Sequence, residues 1–144
     1  MKVIIQRSKK SSVTFKQTKN TISNGMVVLV GFTNGDNIDK IDYVVNKMLN
    51  LRIFDDENGI MNKSLLEVGG NILSISQFTL YANTEKGRRP SYIDALEPIK
   101  AEELYNLFNQ KIKEKGVIVE TGLFGAEMIL EITNDGPVTI IIER

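Results

Sequence analysis

Asn134-Asp135-Gly136-Pro137-Val138-Thr139, near the end of a 144-residue chain, constrains the fold more than any other stretch. Asp-Gly between two apolar alternating runs is a hairpin signal, because tight β-turns need backbone at positive φ. The proline that follows has no N–H to give to a sheet ladder and is normally kept out of strands. An apolar strand pattern nevertheless resumes at once over Val138–Ile142. The spacing predicts a turn between strands at 126–133 and 137–142, with a rigid, donor-poor backbone presenting carbonyl acceptors at a strand mouth. Both isomers of the Gly136–Pro137 bond are compatible with the sequence, since cis accounts for ~5–6% of X–Pro bonds in folded proteins.

The remainder of the chain has to supply the sheet that this hairpin joins. Residues 2–7 and 11–16 read as strands, and Met26–Phe32 is apolar throughout, the pattern of a buried strand. Ile38, Ile41, Val44, Val45, Met48 and Leu49 recur at helical spacing, which predicts a helix over 38–50 with Asp36 or Asn37 as N-cap. Residues 51–54 read as a short strand ended by the Asp55–Gly59 turn, and 71–80 as a central strand. Pro98 suits a first helical position, the stripe Leu104, Tyr105, Leu107, Phe108 and Ile112 predicts a helix over 101–115, and Gly116 is its expected C′ residue. Further strands are expected at 117–121 and in the closing hairpin. With no repeat or linker, the chain reads as one domain over 1–144. Its class is α+β, a strand-rich β-sandwich or barrel-like core with two main helices packed on one face.

Composition narrows the chemistry. With no His and no Cys, Ser-His-Asp and Cys-His catalysis are excluded, and so is the usual zinc site. Any reaction must draw on backbone groups, hydroxyls, carboxylates or the substrate itself. The acidic run Asp55-Asp56-Glu57-Asn58-Gly59 lacks the spaced ligands of a calcium loop. No apolar run is long enough for a membrane span, and the first apolar run breaks too early for a signal peptide, so a cytoplasmic protein is expected. Net charge is zero but uneven: residues 1–35 carry six cations and no acid, and Lys86-Gly87-Arg88-Arg89 forms a second basic knot. Such patches fit a polyanionic partner such as RNA.

In the central strand, alternation assigns Ser74, Ser76, Phe78 and Leu80 to one face and Ile75, Gln77 and Thr79 to the other. A strand end opening into a basic loop is a natural place for a site, because backbone N–H groups are released there.

Taken together, Ser76-Gln77-Phe78-Thr79-Leu80 and Asn134-Asp135-Gly136-Pro137-Val138-Thr139 resemble the two signature motifs of the D-aminoacyl-tRNA deacylase family. The resemblance runs from end to end. It includes Ile5-Gln6-Arg7, Leu51-Arg52-Ile53-Phe54, Thr84–Ser91 and Thr121–Met128, with minor departures at Ser8, Asn83 and Tyr92.

This resemblance implies hydrolysis of the ester between a D-amino acid and the tRNA 3′-terminal adenosine, with glycyl-tRNA also accepted. It implies a homodimer in which Gly136-Pro137 of one subunit enters the other subunit's pocket, and no metal or cofactor. Gly136 and Pro137 would reject L-amino acids by walling off their side chains. The Gln77–Thr79 backbone, around Phe78, is the candidate oxyanion site; Thr79 positions substrate or water, its rival role being that of nucleophile. Arg7, Ser76, Phe124 and Met128 are the candidate substrate-binding residues. Lys86, Arg88 and Arg89 would follow the tRNA backbone. The alternative is a catalytically inactive RNA-binding protein of the same fold, which would have no need of an intact Gly136-Pro137.

Overall fold

The computed structural model describes all residues from 1 to 144. Its centre is a five-stranded sheet in the order β10-β1-β4-β7-β8, formed by Asn134–Glu143, Lys2–Ser8, Gly25–Gly31, Asn71–Ser76 and Val119–Thr121. β1 runs antiparallel to both β10 and β4, whereas β4, β7 and β8 are mutually parallel. Parallel neighbours need a crossover, and α1 (Ile38–Leu49) and α3 (Pro98–Glu114) lie in the two crossover connections.

The two long helices start at caps that the sequence carries. The Asn37 side chain accepts from Lys40 N at 3.1 Å, which selects it over Asp36 as N-cap. Pro98 opens α3 behind a Glu97 cap, so this helix begins three residues earlier than its apolar stripe suggests. Gly116, at φ 80°, follows the last turn as expected. Both helices cover one face of the sheet, where Val3, Ile5, Met26, Val28, Val30 and Ile72 join Ile41, Val44, Met48, Tyr105 and Phe108 in the main core.

The opposite face carries a second, smaller sheet, β3-β2-β9, formed by Thr18–Ile22, Ser11–Phe15 and Ile129–Glu131. Val13 and Ile22 pack there on Val27, Leu73 and Ile75. β4 and β7 are therefore sandwiched on both faces, which is why Met26–Val30 is apolar at every position. The architecture is an open two-sheet sandwich with helices on one side, not a closed barrel. A two-stranded ribbon, β5 (Phe54–Asp55) with β6 (Met61–Lys63), and the one-turn helix α2 (Leu65–Val68) fill the connection between α1 and β7.

Two expectations about the chain's path need correction. Asp135-Gly136 is not a hairpin turn. β9 pairs with β2 in the small sheet and β10 pairs with β1 in the large one, so the chain changes sheets instead of reversing. β1 and β2 make the same change beside it. The two crossings are tied together by Lys9 N donating to Thr133 O at 3.1 Å and Thr133 N donating to Ser11 Oγ at 3.0 Å. Second, the central strand stops at Ser76, and Phe78–Tyr81 winds into a 3₁₀ turn, so the period-two assignment of Phe78, Thr79 and Leu80 fails. β3 is not among the expected strands: four of its five residues, all polar, face outward or the rim, and its pairing with β2 alone makes it a strand. The strand expected at 51–54 is found at 54–55, and those expected at 117–121 and 126–133 shrink to 119–121 and 129–131.

Asp36 has a structural role instead of the capping role. Its carboxylate is fully buried and accepts from the Met1 ammonium at 2.6 Å, Thr33 N at 2.8 Å and Lys40 Nζ at 3.1 Å. Replacing it strands a buried cation, which costs about 3–5 kcal/mol. Asp36→Ala should lower the unfolding free energy by about 3 kcal/mol in chemical denaturation; a midpoint unchanged from wild type would refute this account of the buried pair.

Candidate active site

At the C-terminal ends of β4 and β7 the sheet opens into a cleft of about 720 Å³. β4 contributes Val30 and Gly31, and β7 contributes Ile75 and Ser76 before the chain turns through Gln77 and Phe78. Segments 92–98 and 124–128 complete the lining, which is largely apolar. Such a lining with a few convergent polar groups is what a small-molecule group needs for orientation.

The local backbone explains which donors are available. Gln77 N donates to Val30 O at 2.8 Å, extending the β4–β7 ladder by one residue, so this N–H is consumed. The first hydrogen bond of the 3₁₀ turn comes from Leu80 N to Gln77 O at 3.3 Å. The N–H groups of Phe78 and Thr79 precede it, as the first N–H groups of any helical turn do. Gln77 supplies no side-chain cap to them. Its carboxamide instead donates to Thr79 Oγ1 at 2.5 Å. The threonine hydroxyl therefore accepts from a carboxamide, and no carboxylate is hydrogen-bonded to it as an activating base.

Two of the phenols near these elements, Tyr105 and Tyr81, are shifted away from any neutral-range role as a base. Burial pushes the Tyr105 hydroxyl above its usual range, and the hydroxyl donates to Ser74 O at 2.8 Å under the cleft. Burial, followed by the charges of Asp36 and Glu143, pushes Tyr81 up as well. Of the two acidic residues lining the cleft, Glu97 spends its carboxylate capping α3 through Ile99 N at 3.1 Å and Lys100 N at 3.0 Å, and Glu127 is exposed.

The structure gathers Ser76, Gln77, Phe78, Phe124 and Met128 at this cleft. Thr79 lies beside it in the 3₁₀ turn, half-buried. Lys86, Arg88 and Arg89 stand exposed on the adjoining loop, and none is in an ion pair. By contrast, much of the basic excess of residues 1–35 is neutralised: Lys2 pairs with Glu143, Arg7 and Lys9 with Asp135, and Lys19 with Glu131. That region is not an open basic patch. Sequence reasoning missed Tyr92, Leu96 and Ala101 as cleft residues; the one available signal was an aromatic placed just after the polar loop.

Arg7, Gly136 and Pro137 lie elsewhere. Arg7 pairs with Met26 and Lys2 with Gly31, so five residues of β4, roughly 17 Å at ~3.4 Å per residue, separate Arg7 from the cleft end. Gly136 and Pro137 belong to the Arg7 end, between the Ser8–Asn134 and Gln6–Thr139 pairs where the β1–β10 register shifts. Both are exposed, and the bond between them is cis. Their support is built from side chains. Buried Arg7 donates through Nε to Asp135 O at 3.2 Å and through Nη1 to Ile53 O at 2.9 Å and Asp55 Oδ1 at 3.0 Å. Asn134 Nδ2 donates to Arg7 O and to Val138 O, both at 3.0 Å, bracketing the Gly-Pro pair. At φ +116° a side chain on Gly136 would be strained, and its Cβ would sit 2.8 Å from Val138 Cγ2 and 3.2 Å from Arg7 Nη2.

The family match and the curated relatives agree with one another. Residues 4–143 match the family described as D-Tyr-tRNA(Tyr) deacylase. A D-aminoacyl-tRNA deacylase of Brevibacillus brevis is 51% identical over 144 residues, covering 99% of each chain. One from a Geobacillus species is 47% identical, covering 99% of this chain and 95% of its own. Among solved structures, the c-Myc DNA unwinding element binding protein superposes with a TM-score of 0.93 at 38% identity, covering 100% of this chain and 99% of that one. A probable eukaryotic D-amino acid tRNA deacylase reaches 0.85 at 19% identity over 98% and 97% of the two chains, a likeness of fold.

The Arg7 anchor generates a prediction of its own. Arg7→Met keeps the stem but leaves Asp55 and Asp135 without their buried cation, and should cost about 2 kcal/mol or more. Amide exchange at Gly136 and Val138 should accelerate beyond the change at β4. Exchange there identical to wild type would show that the segment is held by something other than Arg7.

Proposed function

The chain belongs to the D-Tyr-tRNA(Tyr) deacylase family, and on that premise we propose that its cleft hydrolyses the ester of D-aminoacyl-tRNA, working as a cytoplasmic homodimer. The observation that carries the dimeric form of this reading is the separation of the two motifs. Within one chain the Gly-Pro segment lies at the opposite end of β4 from the cleft, so a wall made of Gly136 and Pro137 has to come from a second copy. Two features favour such a copy. β10 is the outer strand of its sheet, with no neighbour beyond it. On the sheet face away from the helices, Ile141 is 63% exposed and pairs with half-exposed Ile4, beside Leu29. An apolar row left uncovered across three strands suits burial against another copy of the chain.

In the assembled site, the substrate's α-ammonium is held by backbone carbonyls of the Gly136-Pro137 segment and its ester carbonyl by the N–H groups of Phe78 and Thr79. With those two points fixed, only one enantiomer directs its side chain away from the partner's segment. L-aminoacyl esters are excluded by collision, and glycine, having no side chain, is accepted. Arg7 contributes by holding the Gly-Pro segment in place, while Phe124 and Met128 line the place of the adenosine. Water adds to the ester carbonyl, the oxyanion is stabilised by the two N–H groups, and the C–O bond to ribose breaks, the ribose oxygen leaving with a proton. The neighbouring ribose 2′-hydroxyl assists the proton movement. An activated ester needs little beyond positioning and prearranged donors, so a site without histidine suffices.

Matched D-tyrosyl-, L-tyrosyl- and glycyl-tRNA test this directly. The D-tyrosyl and glycyl esters should be released and the L-tyrosyl ester should persist; equal survival of the D and L esters sinks the proposal. Thr79→Ala should retain measurable turnover with about a hundredfold loss at most, as for a positioning group, whereas complete loss in a folded, tRNA-binding variant assigns the hydroxyl as nucleophile. Replacing Lys86, Arg88 and Arg89 together by Ala should weaken tRNA association. It should also flatten the log–log salt dependence by about 2, at ~0.7 per phosphate on single strands; an unchanged slope removes this loop from the RNA interface.

A further inference from the structure

We propose that Tyr92, seated against Phe78 at the mouth of the cleft, is a stacking platform for the unpaired nucleotide that precedes the terminal adenosine. Lys86, Arg88 and Arg89 follow its phosphates. The inference rests on the deacylase reading of the cleft and extends it, naming what that cleft grips beyond the esterified nucleoside.

The two rings meet edge to face, with centroids 5.1 Å apart and planes at 71°. Both line the cleft, yet Phe78 is 57% and Tyr92 41% exposed. Packing one ring's edge against the other fixes their orientation without covering both, and leaves π surface facing solvent at the rim. Tyr92 is held from both sides: Ala95 N donates to its carbonyl at 3.0 Å, and Ser91 exchanges backbone bonds with Asn83 at 2.8 and 2.9 Å. This second pair closes the base of the loop that carries the three free cations, so the platform and the charges are parts of one fixed excursion.

Two kinds of ligand would leave half of this arrangement idle. An apolar protein segment has no use for three unpaired cations. A duplex backbone needs the cations but offers no base face to the rings. A single strand uses both, because unpaired bases stack on aromatic side chains while their phosphates follow basic residues. The cleft itself takes the terminal nucleoside and its amino acid, which leaves the rim for the nucleotide before it.

Binding of unacylated CpCpA and of adenosine, measured by equilibrium titration on wild type, Tyr92→Ala and Tyr92→Phe, decides the matter. Base stacking on one aromatic is lost on truncation with an effect of about tenfold or more. Wild type should bind CpCpA at least about tenfold more tightly than adenosine, Tyr92→Ala should lose most of that preference, and Tyr92→Phe should keep it. Equal affinities in wild type, a Tyr92→Phe variant as weak as Tyr92→Ala, or an equal loss for adenosine and CpCpA would each overturn the platform. Release of D-tyrosine from tRNA, assayed separately, judges the deacylase reading. If a Tyr92-dependent preference for CpCpA survives without any hydrolysis, the platform stands and that reading falls.

Discussion

β4 is the constraint on which the rest of the structure depends. It is hydrogen-bonded on both edges and covered on both faces, antiparallel to β1 and parallel to β7. Its apolar side chains leave no freedom of register, because a one-residue slip would exchange the residues facing the helices with those facing the small sheet. Two consequences follow from that fixed strand. Its C-terminal end, with β7, sets the position of Ser76 and of the turn that follows. Its N-terminal end, through β1, sets the position of Arg7 and thus of Asp135, Gly136 and Pro137. A rigid rod of about five residues keeps the two motifs apart in one chain, roughly 17 Å at the rise of a β-strand.

The paired crossings between sheets follow from the same architecture. β1–β2 and β9–β10 travel together from one sheet to the other, joined where Lys9 and Ser11 meet Thr133. Ser8 and Ser11 are buried at this corner with hydroxyl oxygens 2.5 Å apart, and small polar side chains are what a bend needs when its backbone cannot satisfy every group by ladder pairing. Just past the corner, the register shift between Gln6 and Ser8 accommodates the extra residues of β10. A bulge of this kind re-aims backbone at a sheet margin. Here it presents Gly136 and Pro137 to solvent, backed by Arg7.

The regular parts of this fold were legible because local periodicity and burial agree there. α1, α3 and β4 each have an apolar stripe or run that the tertiary structure then uses. The misreadings occur where pairing overrides local pattern. Asp135-Gly136 has turn chemistry but sits within β10, because Asn134 and Arg7 satisfy the polar groups that a turn would otherwise satisfy internally. Phe78 and Leu80 fit a strand's alternation, yet β8 spans only three residues and pairs no further than Ser74, so β7 has little reason to continue. β3 is invisible to apolar alternation, since its stability comes from β2. At the site, the residues of the two motifs were legible and their separation was not, because register between β1 and β4 is a property of the assembled sheet. Tyr92 carried too little signal: a lone aromatic beside a polar loop is ordinary until its neighbour Phe78 is found exposed beside it.

The proposed selectivity draws its precision from this rigidity. A chiral filter based on collision works only if the colliding wall cannot yield by more than a fraction of the size of a methyl group. Side chains on a loop would rotate away, whereas backbone atoms braced by a buried guanidinium cannot. Gly136 has no room for a Cβ, and its immediate neighbours are Arg7 and Val138, so the wall is thin and stiff at the same place. The cost of the proposed design is that wall and cleft would be positioned by different copies of the chain, each held by its own β4. In the proposed dimer their relative placement would depend on how two sheets meet, not on the path of any loop. Under that proposal, discrimination by shape would leave the chemistry to an activated ester, two N–H donors and water.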